Sequence, residues 1–302
     1  GSSASAHGAR AWCKSIDLSH MVARKQGKII NVSSMGGKNG GPDSTVYCAA
    51  KAAEINFTKG LAAEVNQLLS GTQFIGFSTY GEQYSSIHIN QTLTGVVIGL
   101  AFYLAVTAIL DAGAIPAVLG GDHSITEPVV QAFEGRQFHY VHFDTHADCD
   151  QMFSSDRTHG SPVLHLMEKG LVQSVTLIGI RGLTNSPHDI TRIQAQGVTI
   201  ITARDLRKKL LQPDRGLFKK GNYYISLDID FFDPSAAPGT GTPEPGGLFF
   251  PDFSDVIHLI ADRGSIIGFD VVEVSPLFDG PSANTAHLAA RCVLELMSAA
   301  LD

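Results

Sequence analysis

Alternating runs of apolar and polar positions predict a succession of strands and helices along most of this chain. Short apolar runs bounded by Gly, Pro or polar residues predict strands, at residues 28–32, 115–119, 138–143, 175–180, 198–201, 223–227 and 266–274. Segments with helical character lie at residues 47–64, 93–112, 164–169, 190–196, 252–262 and 284–301, and another helix follows from Ser124. Residues 71–86 show neither pattern. This alternation predicts an α/β fold in which helices cover both faces of a mainly parallel sheet.

The composition is typical of a chain with a buried core and excludes some function classes. Hydrophobic residues make up 44% and charged residues 17% of the 302 positions, which argues against global disorder. The net charge of -7 argues against a nucleic-acid partner, because such proteins usually carry a basic excess. The longest apolar run, residues 96–110, is interrupted by Gly99, Tyr103 and Thr107. We therefore expect no membrane-spanning helix.

The cysteines and the first residues favour a cytoplasmic location. Four cysteines are widely spread and form no C-x-x-C pair: Cys13, Cys48, Cys149 and Cys292. A disulfide framework and a zinc ribbon are both disfavoured by this spacing. Residues 1–8 lack the charged start and apolar stretch of a signal peptide. The expected compartment is the reducing cytoplasm.

Acidic and histidine residues follow three of the predicted strands. Asp144, His146 and Asp148 come directly after the strand at 138–143, and side chains two apart in an extended segment point to one face. Asp228 and Asp230 follow the strand at 223–227 with the same spacing, and His123 follows the strand at 115–119. The carboxyl ends of strands are where open α/β sheets build their sites. We therefore expect these side chains to meet at one sheet edge.

Four carboxylates at one edge predict bound cations, because unpaired carboxylates repel one another strongly. Two divalent cations would compensate that charge. A ligand set of carboxylates and imidazoles without thiolate suits manganese, although ligand type alone leaves zinc, iron and cobalt open. The alternative is that acidic residues stand at strand ends only because those ends are solvated. Three motifs together favour the metal site.

Four further residues belong to the same predicted edge. His159 follows the loop at 149–158, and Glu273 ends the strand at 266–274. Each is a candidate functional residue only because it shares this sheet edge with the predicted metal ligands. Asp122 and Asp233 either orient metal ligands or serve turn chemistry.

Several motifs, in order, resemble the ureohydrolase superfamily of arginase, agmatinase and related guanidino-acid amidinohydrolases. They occupy residues 120–124, 144–148, 159–162, 226–234, 239–243 and 246–247. The resemblance runs from about residue 105 to the C-terminus. It implies an arginase-like three-layer α/β/α fold with a mainly parallel central sheet and two Mn²⁺ per chain. It also implies hydrolysis of a guanidino compound to urea and an amine by a metal-bridging hydroxide, in a homo-oligomer (trimer or hexamer).

The resemblance also implies a role for each candidate residue. The ligands of one metal would be His123, Asp144, Asp148 and Asp228. The ligands of the other would be Asp144, His146, Asp228 and Asp230, with Asp144 and Asp228 bridging. His159 matches the proton-shuttle histidine and Glu273 the guanidinium-binding carboxylate. Asp148 joins these two as a candidate catalytic residue. The family usually has Ala where Thr145 stands here, which leaves ligand identity untouched.

The N-terminal part departs from the family. Residues 1–70 form an atypical segment ahead of a ureohydrolase-like domain at 71–302, and residues 27–64 resemble a fragment of a short-chain dehydrogenase. Ser34, Tyr47 and Lys51 fall at that family's catalytic spacing. No Gly-x-x-x-Gly-x-Gly fingerprint precedes Tyr47, and 46 residues are too few for the first βαβ unit and the missing strands. We expect no reductase chemistry from this segment.

The substrate is read by loops, and here the sequence leaves alternatives. Asp150 would disfavour an α-carboxylate and tolerate a cationic amine, as in agmatine. Arg157 could pair the carboxylate of a guanidino acid, or pair with Asp156 or Asp150 at the surface. Two other functions stay open: a catalytically weak metal-binding homologue, and an NAD(P)-dependent reductase that would rest on Ser34, Tyr47 and Lys51.

Overall fold

The computed structural model describes residues 29–34, 74–79, 88–150, 158–211 and 217–301. The strands are β1 Ile29–Ser34, β2 Phe74–Thr79, β3 Ala117–Leu119, β4 His139–Phe143, β5 Ser174–Ile180, β6 Thr199–Thr202, β7 Tyr223–Asp228 and β8 Ile266–Val272. The helices are α1 His88–Asp111, α2 Thr126–Gln131, α3 Pro162–Glu168, α4 Pro187–Ala195, α5 Ala203–Leu211, α6 Phe250–Ala261 and α7 Asn284–Leu301. Short 3-10 turns lie at His123–Ile125 and Ile229–Phe231.

These strands form one sheet in which every described pair is parallel. The order of its eight strands is β2-β1-β3-β8-β7-β4-β5-β6. β4 and β7 are neighbouring interior strands of the sheet, and each of their residues is buried. Central parallel strands are covered on both faces, which is why they appear in the sequence as continuous apolar runs.

Two hydrophobic clusters cover the opposite faces of the sheet. Along β7, Tyr223 and Ile225 belong to one cluster, whereas Tyr224 belongs to the other, as the period of two requires. The first cluster takes side chains from α5, α6 and α7. The second takes side chains from α1, α2, α3 and α4. The predicted three-layer α/β/α architecture with a parallel central sheet is therefore confirmed.

The predicted strands are all present, with ends that move by a few residues. The strand expected at 266–274 ends at Val272, so Glu273 lies beyond it. The helix expected from Ser124 begins as a 3-10 turn at His123 and continues as α2. Two elements were not predicted, β2 and α5. The helix expected at 47–64 lies outside the described residues.

The N-terminal part supplies a strand to this sheet. β1 pairs in parallel with β3 on one side and β2 on the other. Ser34 is its last residue, and Ser34 pairs with Thr79. Tyr47 and Lys51 lie outside the described residues. The division of the chain near residue 70 stays a prediction. Within the described ranges, no helix has both the length and the apolarity needed to cross a bilayer.

Candidate functional site

The candidate residues extend from four strands that are neighbours in the sheet, in the order β3-β8-β7-β4. Asp228 is the last residue of β7, and Asp144 directly follows β4. His123 opens the 3-10 turn after β3, and Glu273 directly follows β8. The carboxyl ends of parallel strands share one edge of the sheet, so the fold brings these groups together from distant parts of the chain.

The first group is built around the buried ring of His123. Its Nδ1 atom lies 3.1 Å from an Oδ2 atom of each of three carboxylates, Asp144, Asp148 and Asp228. Burial by itself lowers the pKa of His123, but hydrogen bonds to these three carboxylates raise that pKa well above its usual range. The ring nitrogen thus faces a concentrated negative charge, which is the environment of a cation.

The second group is built around His146 and shares Asp144 with the first. His146 Nδ1 lies 3.1 Å from Asp230 Oδ2 and 3.4 Å from Asp144 Oδ1. Burial opposes protonation of this ring, but Asp144 and Asp230 raise the pKa of His146 to about 11. The two oxygens of Asp144 therefore face different groups, as a bridging carboxylate requires.

The neighbouring carboxylates raise one another's pKa. Burial, followed by the charges of Asp230 and Asp144, raises the pKa of Asp228 well above its usual range. Burial and the charge of Asp144 raise the pKa of Asp230 to about 7. For Asp144 burial acts in the same upward direction, but the nearby rings of His123, His142 and His146 lower its pKa well below the usual range. Positive charge inside this cluster would stabilise all three carboxylates in ionised form.

His142 is a site residue that the sequence reasoning missed. It is fully buried on β4, its ring stacks on His123 at 4.6 Å, and its Nε2 lies 3.0 Å from Asp144 Oδ2. Within the described residues, these two buried atoms have no aligned hydrogen-bond partner. His142 stands two residues before Asp144 in an apolar strand, so the period of two that linked Asp144, His146 and Asp148 could have found it.

The described residues fit two divalent cations that share a ligand. Two sets of ligand-type atoms converge, and Asp144 is common to both. One set is His123, His142, Asp144 and Asp148, and the other is Asp144, His146 and Asp230. The orphaned atoms of His142 and Asp144 face this cluster. Imidazole and carboxylate donors without thiolate suit manganese and similar metals.

Two of the candidate residues have a left-handed backbone conformation that is unusual for a side chain with a Cβ. Asp148 has φ 45° and Glu273 has φ 62°. Such conformations cost about 1–3 kcal/mol each and cluster at functional sites. The Asp148 carbonyl accepts a hydrogen bond from Val163 N at 3.0 Å, and Glu273 N donates to the Gly121 carbonyl at 2.8 Å. The surrounding loops therefore hold both conformations in place.

Glu273 lies against the backbone of the first group. Its Oε1 accepts a hydrogen bond from His123 N at 2.8 Å. Burial, followed by the charge of Asp122, raises the pKa of Glu273 to about 8. The structure thus places this carboxylate beside the His123 group, at the edge where the sequence predicts it.

A cavity of about 280 Å³ adjoins the second group. Its lining includes His146, Asp148, Asp150, His159, Asn185 and Asp189. His159 is exposed to solvent, whereas the carboxylates behind it are buried. This cavity therefore extends from His146 and Asp148 of the candidate metal cluster to the solvent-exposed His159. Asp156 and Arg157 lie outside the described residues.

Asp122 and Asp233 have turn roles here. Asp122 Oδ1 accepts a hydrogen bond from Ser124 N at 2.9 Å and so caps the turn that carries His123. Asp233 Oδ2 accepts hydrogen bonds from Gly246 N and Gly247 N, both at 3.0 Å. Both carboxylates thus shape loops at the sheet edge.

Comparison with known proteins identifies the family. The model of the Arginase family matches residues 79–299. The chain belongs to the arginase family. The resemblance that the ordered motifs indicated is therefore confirmed. The model described as short chain dehydrogenase matches residues 8–69, so the second resemblance is also found, over a short N-terminal segment ahead of the arginase-family match.

Individual relatives agree with this family membership. The chain is 38% identical over 199 residues to "Agmatinase, mitochondrial" of Gallus gallus, covering 63% of this chain and 58% of that protein. It is 38% identical over 200 residues to "Guanidino acid hydrolase, mitochondrial" of Homo sapiens, covering 63% and 56%. The arginase-family chain thus aligns with less than two thirds of each relative. The solved proclavaminate amidino hydrolase of Streptomyces clavuligerus is 27% identical, with a TM-score of 0.66 over 90% of this chain and 91% of that one.

Proposed function

We propose that this chain hydrolyses a guanidino compound to urea and an amine with the help of two Mn²⁺ ions. One observation carries the proposal: two groups of buried or half-buried imidazoles and carboxylates meet at the carboxyl edge of the sheet and share Asp144. Relatives named as agmatinase and guanidino acid hydrolase support the same reaction class. In this reaction water adds to the guanidinium carbon, the bond to the leaving nitrogen breaks, and that nitrogen takes a proton.

Six residues would hold the metal ions. His123 and Asp148 belong to one position, His146 and Asp230 to the other, and Asp144 and Asp228 to both. When bound, two such ions supply a hydroxide nucleophile near neutral pH. The close approach of His123 Nδ1 to Asp144, Asp148 and Asp228 at 3.1 Å supports the first position. The contacts of His146 with Asp230 and Asp144 support the second.

Glu273 would bind and orient the guanidinium group. A carboxylate can accept two parallel hydrogen bonds from a planar cation, and such charge-assisted pairs are about twice as strong as neutral ones. The hydrogen bond from His123 N to Glu273 Oε1 fixes this side chain beside the His123 group. The guanidinium carbon would thereby be held next to the metal ligands.

His159 would carry the proton to the leaving amine. It lines the same cavity as Asp148 and His146, and it is exposed to solvent. An imidazole can both accept and donate a proton, so it can exchange protons between the cavity and water. Protonation of the leaving nitrogen completes the cleavage of the carbon–nitrogen bond.

We propose agmatine rather than a guanidino acid as the substrate, and the lining of the cavity supports this choice. Asp150 and Asp189 line it, and among its described lining residues there is no Lys or Arg. Arg192 Nη2 lies 3.4 Å from Asp189 Oδ1 and compensates part of that charge. An acidic lining of the cavity attracts the second cation of agmatine and repels the carboxylate of a guanidino acid.

A urea-release screen tests the proposal. Protein reconstituted with manganese would be given agmatine, arginine, guanidinobutyrate and guanidinopropionate in turn. We expect urea from agmatine, and we expect Asp150→Asn to narrow the preference for agmatine over guanidinobutyrate. Asp205→Asn, an exposed change on α5, is the matched control and should leave the preference unchanged. Urea from none of the four compounds by metal-loaded protein would favour the weak metal-binding homologue.

Three further expectations belong to the proposed family function. From the family we infer a homo-oligomer, a trimer or hexamer, which the mass from light scattering tests. The cytoplasmic location stays a prediction, and both relatives above are named as mitochondrial. We also propose that Ser34, Tyr47 and Lys51 perform no reductase chemistry. Nicotinamide oxidation that depends on Tyr47 would contradict this division.

A further inference from the structure

A buried carboxylate stands behind the candidate metal cluster, on the far side of His123. Asp270 lies in the middle of β8 and is fully buried. Three hydroxyl groups donate to it: Ser226 Oγ at 2.6 Å, Tyr224 OH at 2.6 Å and Thr126 Oγ1 at 3.1 Å. Burying a carboxylate is expensive unless its hydrogen bonds are satisfied, so this arrangement has a cost that needs a reason.

Ser226 connects this carboxylate to His123. Ser226 Oγ lies 2.9 Å from His123 Nε2 and 2.6 Å from Asp270 Oδ1. A hydroxyl has one proton to donate, and Asp270 can only accept it. Ser226 Oγ must therefore accept the hydrogen bond from His123, which puts a proton on Nε2.

The protonation of Nε2 decides what Nδ1 can do. A neutral imidazole with a proton on Nε2 has its lone pair on Nδ1, the atom that lies 3.1 Å from Asp144, Asp148 and Asp228. We propose that Asp270 and Ser226 are positioning residues that fix His123 in the tautomer and orientation needed to bind a metal ion through Nδ1. This inference rests on the metal site of the proposed function.

The placement of the three groups suits this role. Ser226 and Asp270 are paired partners on the neighbouring strands β7 and β8, so the sheet itself sets the distance between them. A hydrogen-bonded carboxylate behind a ligating imidazole raises the basicity of that ligand and holds its ring. Tyr224 OH and Thr126 Oγ1 donate to the other oxygen of Asp270, Oδ2. These two hydrogen bonds support Asp270 structurally and are separate from its contact with Ser226.

Four variants separate positioning from structural support: Ser226→Ala, Asp270→Asn, their combination, and Tyr224→Phe. The dissociation constant of Mn²⁺ would be measured by chelator competition on metal-stripped protein. We expect Ser226→Ala and Asp270→Asn each to weaken binding about 10–100-fold, as loss of such partners does in other metal sites. The double variant should be no weaker than Ser226→Ala, within about twofold, because Asp270 acts on His123 through Ser226.

Tyr224→Phe is the matched control. It removes a hydrogen bond to the same carboxylate but leaves the contact between Ser226 and Asp270 in place. We expect it to lower the free energy of unfolding while the Mn²⁺ dissociation constant stays within about twofold of the parent value. Equal losses of affinity in Tyr224→Phe and Ser226→Ala would overturn the inference, and so would additive losses in the double variant.

A second readout needs no metal. In metal-free protein labelled with ¹⁵N-histidine, the Nε2–H of His123 should give a slowly exchanging resonance, assigned by its absence in His123→Asn. We expect Ser226→Ala to lose it and Tyr224→Phe to keep it. An unchanged resonance in Ser226→Ala would overturn the inference. If the parent protein binds no manganese, the proposed function fails, and this resonance still decides the role of Ser226.

Discussion

Asp228 is the single residue on which we expect the proposed metal cluster to depend most strongly. Its Oδ2 lies 3.1 Å from His123 Nδ1, and its Oδ1 accepts a hydrogen bond from Asp230 N at 2.8 Å. Asp228→Asn keeps the shape of the side chain and removes a charge that we propose is shared by both metal positions. We expect manganese affinity to fall by more than the roughly 10–100-fold typical of outer partners, with nearly all urea release lost. Metal analysis and a urea assay check this.

The control for that variant lies in the N-terminal segment. Tyr47→Phe should leave hydrolysis largely intact, since the segment resembling a dehydrogenase is not expected to do chemistry. Loss of urea release in Tyr47→Phe, at an unchanged free energy of unfolding, would contradict the assignment of the chemistry to the sheet edge.

Glu273 is assigned to the substrate. Glu273→Gln loses the charge that pairs with the guanidinium group but retains an oxygen for His123 N. Hydrogen bonds to charged groups contribute about 1.5–3 kcal/mol, so kcat/KM should fall about 10–150-fold. The manganese content of the purified variant should equal that of the parent. A loss of metal in proportion to activity would place Glu273 in the coordination sphere instead.

His159 is assigned to proton transfer, which gives a different kinetic signature. His159→Ala should lower kcat by about 10²–10⁴ while KM changes much less. Metal content should again stay at the parent value, because His159 lies on the exposed side of the cavity. The measurement is steady-state kinetics with agmatine. A variant that retains full kcat would remove His159 from the mechanism.

At the scale of elements, one glycine in β5 shows how the sheet supports the site. Gly179 has φ 103° and lies where the register between β5 and β6 shifts. A Cβ there would lie 2.5 Å from Phe231 Cδ2 and 2.8 Å from the Asp144 carbonyl oxygen. Gly179→Ala would therefore press on the turn after β7 and on the backbone of Asp144.

The expected result for Gly179→Ala is a loss of both stability and metal binding. Strain at a positive φ costs about 1–3 kcal/mol by itself, and the close contacts add to that cost. Gly197→Ala is the matched control, because Gly197 has φ 90° and a Cβ there would meet nothing within 4 Å. It should lose stability from strain alone and retain manganese affinity. Urea denaturation and chelator competition compare the two variants.

Sequence patterns predicted best the elements whose burial alone explains their pattern of apolar residues. β4 and β7 are buried on both faces, so their apolar runs stand out, and α7 begins and ends as expected. β2 was missed because its apolar residues are mixed with Gly, Ser and Thr. α5 was missed because it is short, and its amphipathic pattern lies in a charged stretch.

The candidate site, like the fold, was predictable in part. Carboxylates two residues apart after a strand point to one side of the sheet, and this spacing found most of them. Spacing could not show that β3, β8, β7 and β4 are neighbours, because strand order is a property of the whole sheet. It also hid Asp270, which sits inside the apolar strand β8 and contacts Ser226 on β7. Its role appears only when cross-strand contacts are known.

At the scale of the whole molecule, metal ions would link residues at the carboxyl ends of β3, β4 and β7, which are far apart in the chain. A ligand that binds only the folded state adds RT ln(1 + [L]/Kd), about 2.7 kcal/mol at a hundredfold excess over Kd. We therefore expect Mn²⁺ at that concentration to raise the Tm by several degrees. Asp228→Asn should show a much smaller rise. A Tm that does not respond to manganese in the parent protein would contradict a site built into the fold.

The most direct test titrates manganese into metal-stripped protein while urea release from agmatine and bound metal are measured together. We expect urea release to rise with bound metal and to reach its plateau at two manganese ions per chain, as for a cluster that shares Asp144. Urea release that is independent of manganese, or absent from all four guanidino compounds when two ions are bound, would contradict this expectation.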